Sequence, residues 1–351
     1  MNSLSDSTNL DVLRSYAVLA VAASHLYEFC GNAPRFQVFM HNFGVCGVCF
    51  FFVHTSLVLF GSMDRTKSLN LTRNFYIRRG FRIYPLCWVS ILLVLTTGLT
   101  DQSRENLVGM GWRGIVANVA LVQNITHSGS VLGPLWSLPW EVQMYLVLPA
   151  LFLFLEKSRR PILLAVTTWL GITIFAVVVT TFRVPNLLHA AIYPPMFLGG
   201  IVAFHAVSRI RPTISSFAWL LFVPALIVLR CWMLHGDSLE NPYNVVVNAA
   251  ICLLLGFAIP QFKPIKQRLV TRTAGQIAKY SYGIYLFHVP ALVLIFKYFS
   301  SYPITFKLIA LVVLTGVASV SSYYLVEHPL IRFGKHFAER LDRSSLVAAA
   351  D

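Results

Sequence analysis

Charge is what this chain has least of. Only 12% of its 351 residues are Asp, Glu, Lys or Arg, where a soluble domain carries roughly a quarter. Hydrophobic residues make up 56%. Too little charge to cover a water-facing surface excludes one large or two ordinary soluble domains. Acidic residues are scarcer still, 14 against 28 basic ones. That excess does not indicate nucleic acid, because the basic residues fall in short clusters between apolar runs. Cysteine is sparse and scattered, six in all, mostly inside those runs. Cys46 and Cys49 have the spacing of half a zinc site but no partner pair and no polar surroundings, so no metal is expected. Spacing alone pairs no cysteines, Cys30 with Cys231 included. The first apolar run is a poor signal peptide, since Asp6 and Asp11 outweigh Arg14 ahead of it. There is no long linker, low-complexity segment or visible internal repeat, which counts against transporters built from inverted repeats.

What is present is a series of apolar runs long enough to cross a bilayer, about 20 residues each. Ten are read, at 12–29, 41–62, 83–100, 138–156, 161–182, 189–208, 214–234, 243–260, 277–297 and 303–326. A weaker run at 112–125 reads as re-entrant or interfacial. The fold class is all-α, a polytopic membrane helix bundle of about ten spans plus that short helix. The positive-inside rule fixes a direction. With the N-terminus inside, 20 of the 28 basic residues fall on the inner side and four on the outer. Both termini are therefore expected in the cytoplasm and the protein in the inner (cytoplasmic) membrane. Residues 1–335 read as one domain and 336–351 as a frayed cytoplasmic tail.

Ionisable residues inside apolar spans are expensive and mark function by default. Arg14 and His25 share the first span. Eleven steps at about 100° return to within ~20° of one face, ~16 Å apart along the axis. Glu141 opens the fourth span after Trp136-Ser137-Leu138-Pro139-Trp140. That position puts it in the outer half with His25, where a carboxylate could fix an imidazole's tautomer for base catalysis. Arg78, Arg79 and Arg82 crowd the inner entrance of the third span, suited to forked capture of phosphates. His288 lies near the middle of the ninth span, ahead of Pro290 and close to Tyr285. Each has a plainer reading: Arg14 as an interface anchor, Glu141 as a first-turn carboxylate, the arginines as topology signals, His288 as a packed kink residue. Together they suit a phosphate-bearing carrier with a reactive end reaching a His/Glu pair, which is the shape of an acyl-coenzyme A.

These residues resemble the acyltransferase-3 family of integral-membrane O-acyltransferases, which modify polysaccharides and other extracellular glycans. The resemblance lies in Arg14 followed by His25, in Gly47 to Val53, in Arg79-Gly80-Phe81-Arg82 running into Tyr84-Pro85, in Trp136-Ser137-Leu138 with Glu141 and Tyr145, and in Ser281 to His288 with Glu327-His328-Pro329. The second helix departs from the family pattern, with Cys49 and His54-Thr55-Ser56 at positions often acidic or Ser-Gly. The resemblance implies His25 as the essential base, Glu141 as its acidic partner, and Arg79 and Arg82, with Arg14, at an acyl-coenzyme A site. Trp136, Ser137, Tyr285 and His288 are candidate substrate contacts. It implies an acetyl or other acyl donor, no metal, and a polysaccharide (exopolysaccharide included), lipid-linked saccharide or glycoside as acceptor. A stand-alone enzyme without a hydrolase-like extension is expected. The rival readings are a transporter or flippase for a glycan or lipid-linked precursor, using the buried charges as a proton relay, and a sensor or scaffold.

Overall fold

A computed structural model describes residues 7–31, 33–66, 70–184, 192–234, 236 and 241–348. Among them the secondary structure is helical, apart from one isolated bridge between Ile214 and Phe262. The helices are α1 (Thr8–Cys30), α2 (Pro34–Thr66), α3 (Leu71–Thr97), α4 (Arg104–Ala120), α5 (Leu138–Glu156), α6 (Pro161–Thr181), α7 (Pro194–Val207), α8 (Ser216–Met233), α9 (Pro242–Ala258), α10 (Arg268–Tyr298), α11 (Ile304–Ser322) and α12 (His328–Ala348).

Among the described residues, eight helical stretches are long and apolar enough to cross a membrane. They match eight of the ten expected spans, and the chain is an all-α, multi-pass membrane protein. The two other expected spans are also helices but fall short for different reasons. α1 has 23 residues, about 34 Å of helix, yet Asp11, Arg14, His25 and Glu28 dilute its apolarity. α7 has only 14 residues, about 21 Å, and part of the expected 189–208 run lies outside the described residues.

The chain divides into two compact units: residues 1–65 with 150–279, and residues 66–149 with 280–351. In the first, α1 is fastened along its length. Asn9 donates from Nδ2 to the Lys263 carbonyl (3.1 Å) and accepts the Ile265 N–H at Oδ1 (3.0 Å). Its own carbonyl accepts the indole N–H of Trp219 (2.9 Å). Further along, Ser15 donates to the Ala274 carbonyl and Tyr16 to that of Leu220, both at 3.1 Å. α2 crosses α1 at Gly47, where any β-carbon would collide with the Ala17 carbonyl. This close approach sets the helix that carries Arg14 and His25. Gly47→Val should cost about 1–3 kcal/mol by overpacking, read as a lower thermal midpoint of the detergent-solubilised protein. An unchanged midpoint would show that the crossing is loose.

The same unit buries Arg230 completely. Its Nε donates to Asn248 Oδ1 at 2.7 Å, and the guanidinium also donates to the Asn42 carbonyl at 2.5 Å. Its Nη2 is buried without a hydrogen-bond partner, so these two acceptors carry the pairing that lets a cation sit in a span.

In the second unit the expected re-entrant run is a distinct structure. α4 is kinked at Gly111, whose φ of 58° favours glycine. From 121 to 137 the backbone runs irregular, apart from a 3-10 turn at Gly133–Trp136, and side chains satisfy it. Asn118 donates to the Gly114 and Gly129 carbonyls and accepts the Val131 N–H, all at 2.9 Å. Gln123 donates to the Leu135 carbonyl (3.0 Å). Non-helical backbone in a membrane protein survives where protein groups replace water in this way.

The end of the chain differs from expectation. Residues 337–348 continue α12 as helix, and that helix packs on α3. Asp342 holds it there, accepting from Asn70 (3.2 Å), Arg73 (3.3 Å) and Asn74 (2.5 Å). A polar sequence that reads as frayed in isolation is ordered by this carboxylate.

Candidate functional site

The first unit presents His25, half-buried on α1. Its Nδ1 lies 3.0 Å from the Val21 carbonyl. A carbonyl can only accept, so Nδ1 carries the proton and, in the neutral ring, Nε2 is the basic nitrogen. The tautomer that base catalysis needs is therefore one that the helix's own backbone supports. Arg14 sits on the same helix and acts electrostatically on His54 of α2, which is 6% exposed. His54 entered the sequence reading only as a departure from a motif; its place beside Arg14 comes from how α2 crosses α1.

The second unit holds the arginines. Tyr76 donates to the Leu146 carbonyl at 2.9 Å, and the rings of Phe75 and Tyr145 lie 6.0 Å apart. These contacts set the first turns of α3 beside the first turns of α5. Arg79 is thereby within electrostatic reach of Tyr145 and Glu141. Glu141 Oε1 accepts the Tyr145 hydroxyl at 2.5 Å. The sequence reading separated Glu141 from the arginines by depth. In the structure Glu141 is within electrostatic reach of Arg79, on an α5 that begins directly after the irregular 121–137 segment.

Arg82 is paired too. Its guanidinium lies 2.5 Å from Glu327 Oε1, with the arginine side chain 23% exposed and the glutamate 1%. Glu327 closes a π-helical turn, Tyr323–Glu327, between α11 and α12. Such turns add a residue to the helical circuit and re-aim the helix beyond them. Next to Arg82, Tyr282 of α10 donates to the Ile83 carbonyl at 2.7 Å. Arg78 Nε is buried without a hydrogen-bond partner. A buried donor lacking an acceptor, in a cluster of three guanidiniums, is the chemistry of an anion site.

Ser137 and Tyr285 form a chain. Tyr285 donates to the Pro134 carbonyl (2.6 Å), so Ser137 must donate to the Tyr285 oxygen (2.6 Å). Both protons are thus committed, and together they lock the 3-10 turn that ends in Trp136 onto α10. His288, 2% exposed, lies with its ring 6.3 Å from that of Tyr285. It bonds through Nδ1 to the Ile284 carbonyl at 2.9 Å, the arrangement of His25 repeated.

Fold and site define a multi-pass helical membrane protein with a caged arginine cluster in one unit and a tautomer-fixed histidine in the other. The chain belongs to the acyltransferase-3 family, whose acyltransferase domain it matches over residues 7–327. It is similar to the peptidoglycan O-acetyltransferase OatA of Listeria monocytogenes, 27% identical over 93% of this chain and 56% of that protein. It is also similar to the O-acetyltransferase OatA of Staphylococcus aureus, 26% identical over 94% of this chain and 58% of that protein. The acyltransferase MdmB of Streptomyces mycarofaciens is 29% identical over 42% of this chain and 40% of its own length. The chain spans little more than half the length of the two OatA proteins. No solved structure matches it.

Proposed function

We propose that the protein is a membrane-embedded O-acyltransferase, moving an acetyl or other acyl group from cytosolic acyl-coenzyme A to a hydroxyl of a glycan or glycoside on the outer side. The observation that carries this reading is His25, held with Nε2 as its basic nitrogen. Nε2 takes the proton of an acceptor hydroxyl. The oxygen attacks the thioester carbonyl, and the coenzyme A thiolate leaves and recovers the proton. Direct transfer and prior acylation of His25 are both compatible with this base. Arg79 and Arg82, with Arg78 beside them, hold donor phosphates; the role of Arg14 in that site rests on the family resemblance alone. Glu141 keeps Arg79 and Tyr145 in place. Trp136, Ser137, Tyr285 and His288 shape the substrate side.

A glycan acceptor is supported by the name of the Listeria relative, a peptidoglycan O-acetyltransferase. That name points to peptidoglycan, and an exopolysaccharide has no comparable support. Family membership supports transfer over transport. The orientation, both termini in the cytoplasm of an inner-membrane protein, rests on the basic-residue bias. The test is reconstitution in liposomes with radiolabelled acetyl-coenzyme A on one side and glycan fragments on the other. Ester-linked label on the glycan without any ion gradient is expected. Movement of the glycan without labelling would replace this reading with a transporter.

A further inference from the structure

α11, the π-turn and α12 run as one helical stretch over Ile304–Asp342, 39 residues. That is about 58 Å of helix, against a hydrocarbon core of about 30 Å. The first half suffices to cross, so α12 comes next at the membrane surface. Its composition changes there. Gly334 and Ala338 are buried, and Gly334 packs against Phe81 of α3. Next to that face, Phe333, whose ring also packs edge-on against Phe81 (5.2 Å), and Phe337 are 55% and 41% exposed and stack with ring centroids 6.1 Å apart. Alongside them run Arg332, Lys335, His336 and Arg340, all exposed. Glu339, near Lys335 (3.9 Å) and His336 (3.7 Å), is the acid among them. The other acid, Asp342, is turned onto α3.

An aromatic stripe beside a basic stripe, on a helix that has just left the hydrocarbon, is the pattern of an element lying in the interface. We propose that the outward face of α12 docks on the anionic lipids of its own leaflet, with Phe333 and Phe337 among the acyl chains and Arg332, Lys335 and Arg340 on the headgroup phosphates. The net positive charge selects anionic over neutral lipid. The docked helix is clasped to α3 at both ends, by Glu327 on Arg82 and by Asp342 on Arg73, Asn70 and Asn74. Lipid charge thereby steadies the segment of α3 that carries Arg78, Arg79 and Arg82.

The test is backbone hydrogen exchange of the full chain in nanodiscs of phosphatidylcholine alone or of an equal mixture with phosphatidylglycerol. Amides of 328–342 should exchange ~fivefold more slowly or better in the anionic discs, while those of α11 stay level. The triple variant R332Q/K335Q/R340Q should lose the difference. Equal exchange in both discs, or a difference that survives the triple variant, would overturn the proposal. So would equal protection by inorganic phosphate in neutral discs, which would indicate a soluble anion instead of a lipid surface.

Discussion

His25→Ala is expected to lower acyl turnover by about 10²–10⁴-fold, the contribution of a positioned base, in a protein that still folds and inserts. The side chain is half-buried and its described bond is to its own helix. Removing it loses that local hydrogen bond, roughly 1 kcal/mol, from a helix still fastened through Asn9, Ser15 and Tyr16. The informative variant is His25→Gln. Its amide places a polar group at the position of Nε2 but offers no basic nitrogen. A base role predicts that glutamine is as inactive as alanine, with the KM for acyl-coenzyme A held near the parent value. Recovery of most turnover by glutamine would mean that His25 positions another group, and the assignment would fall. Radiolabelled donor in detergent, with thermal midpoints measured in parallel, gives both readings.

How far this site could be read in the sequence depends on which residues are considered. Arg14, His25, Arg79 and Arg82 stand out because a charge in an apolar run is conspicuous. Arg14 and His25 lie on one continuous helix, α1, where the helical step alone predicts a shared face. The place of Glu141 was not legible in the same way. Counting spans treats each start as a membrane surface, and nothing in 121–137 announces that Asn118 and Gln123 hold irregular backbone in the protein interior. Tyr145 was visible as part of a motif, but its contacts with Glu141 and Phe75 come from α5 being set beside α3. Glu327 was visible as part of a motif, but its aim at Arg82 comes from a π-helical turn that no propensity scale marks. Asp342 lay in a stretch whose polarity suggested disorder. Its role depends on Asn70, Arg73 and Asn74, some 270 residues earlier in the chain.

The second large effect is expected at the Arg82–Glu327 pair. Arg82→Ala removes a charge-assisted contact from the proposed phosphate site, worth about 1.5–3 kcal/mol, or roughly 10–150-fold in the KM for acyl-coenzyme A. It also strands a carboxylate that is 1% exposed. Leaving a buried charge uncompensated costs about 3–5 kcal/mol, so the thermal midpoint should fall as well. Glu327→Gln, by contrast, keeps the shape, removes the stranded charge and leaves Arg82 in place, and its KM should rise less. The exchange variant Arg82→Glu/Glu327→Arg separates the two roles. Opposite charges face each other again, so stability should return in part. The guanidinium, however, now projects from the π-turn instead of α3 and no longer stands with Arg78 and Arg79, so the KM should stay high. Stability and KM recovering together would mean that Arg82 acts only through its ion pair. Recovery of stability alone would place the guanidinium of Arg82 on the donor, held there by a glutamate that the substrate does not touch.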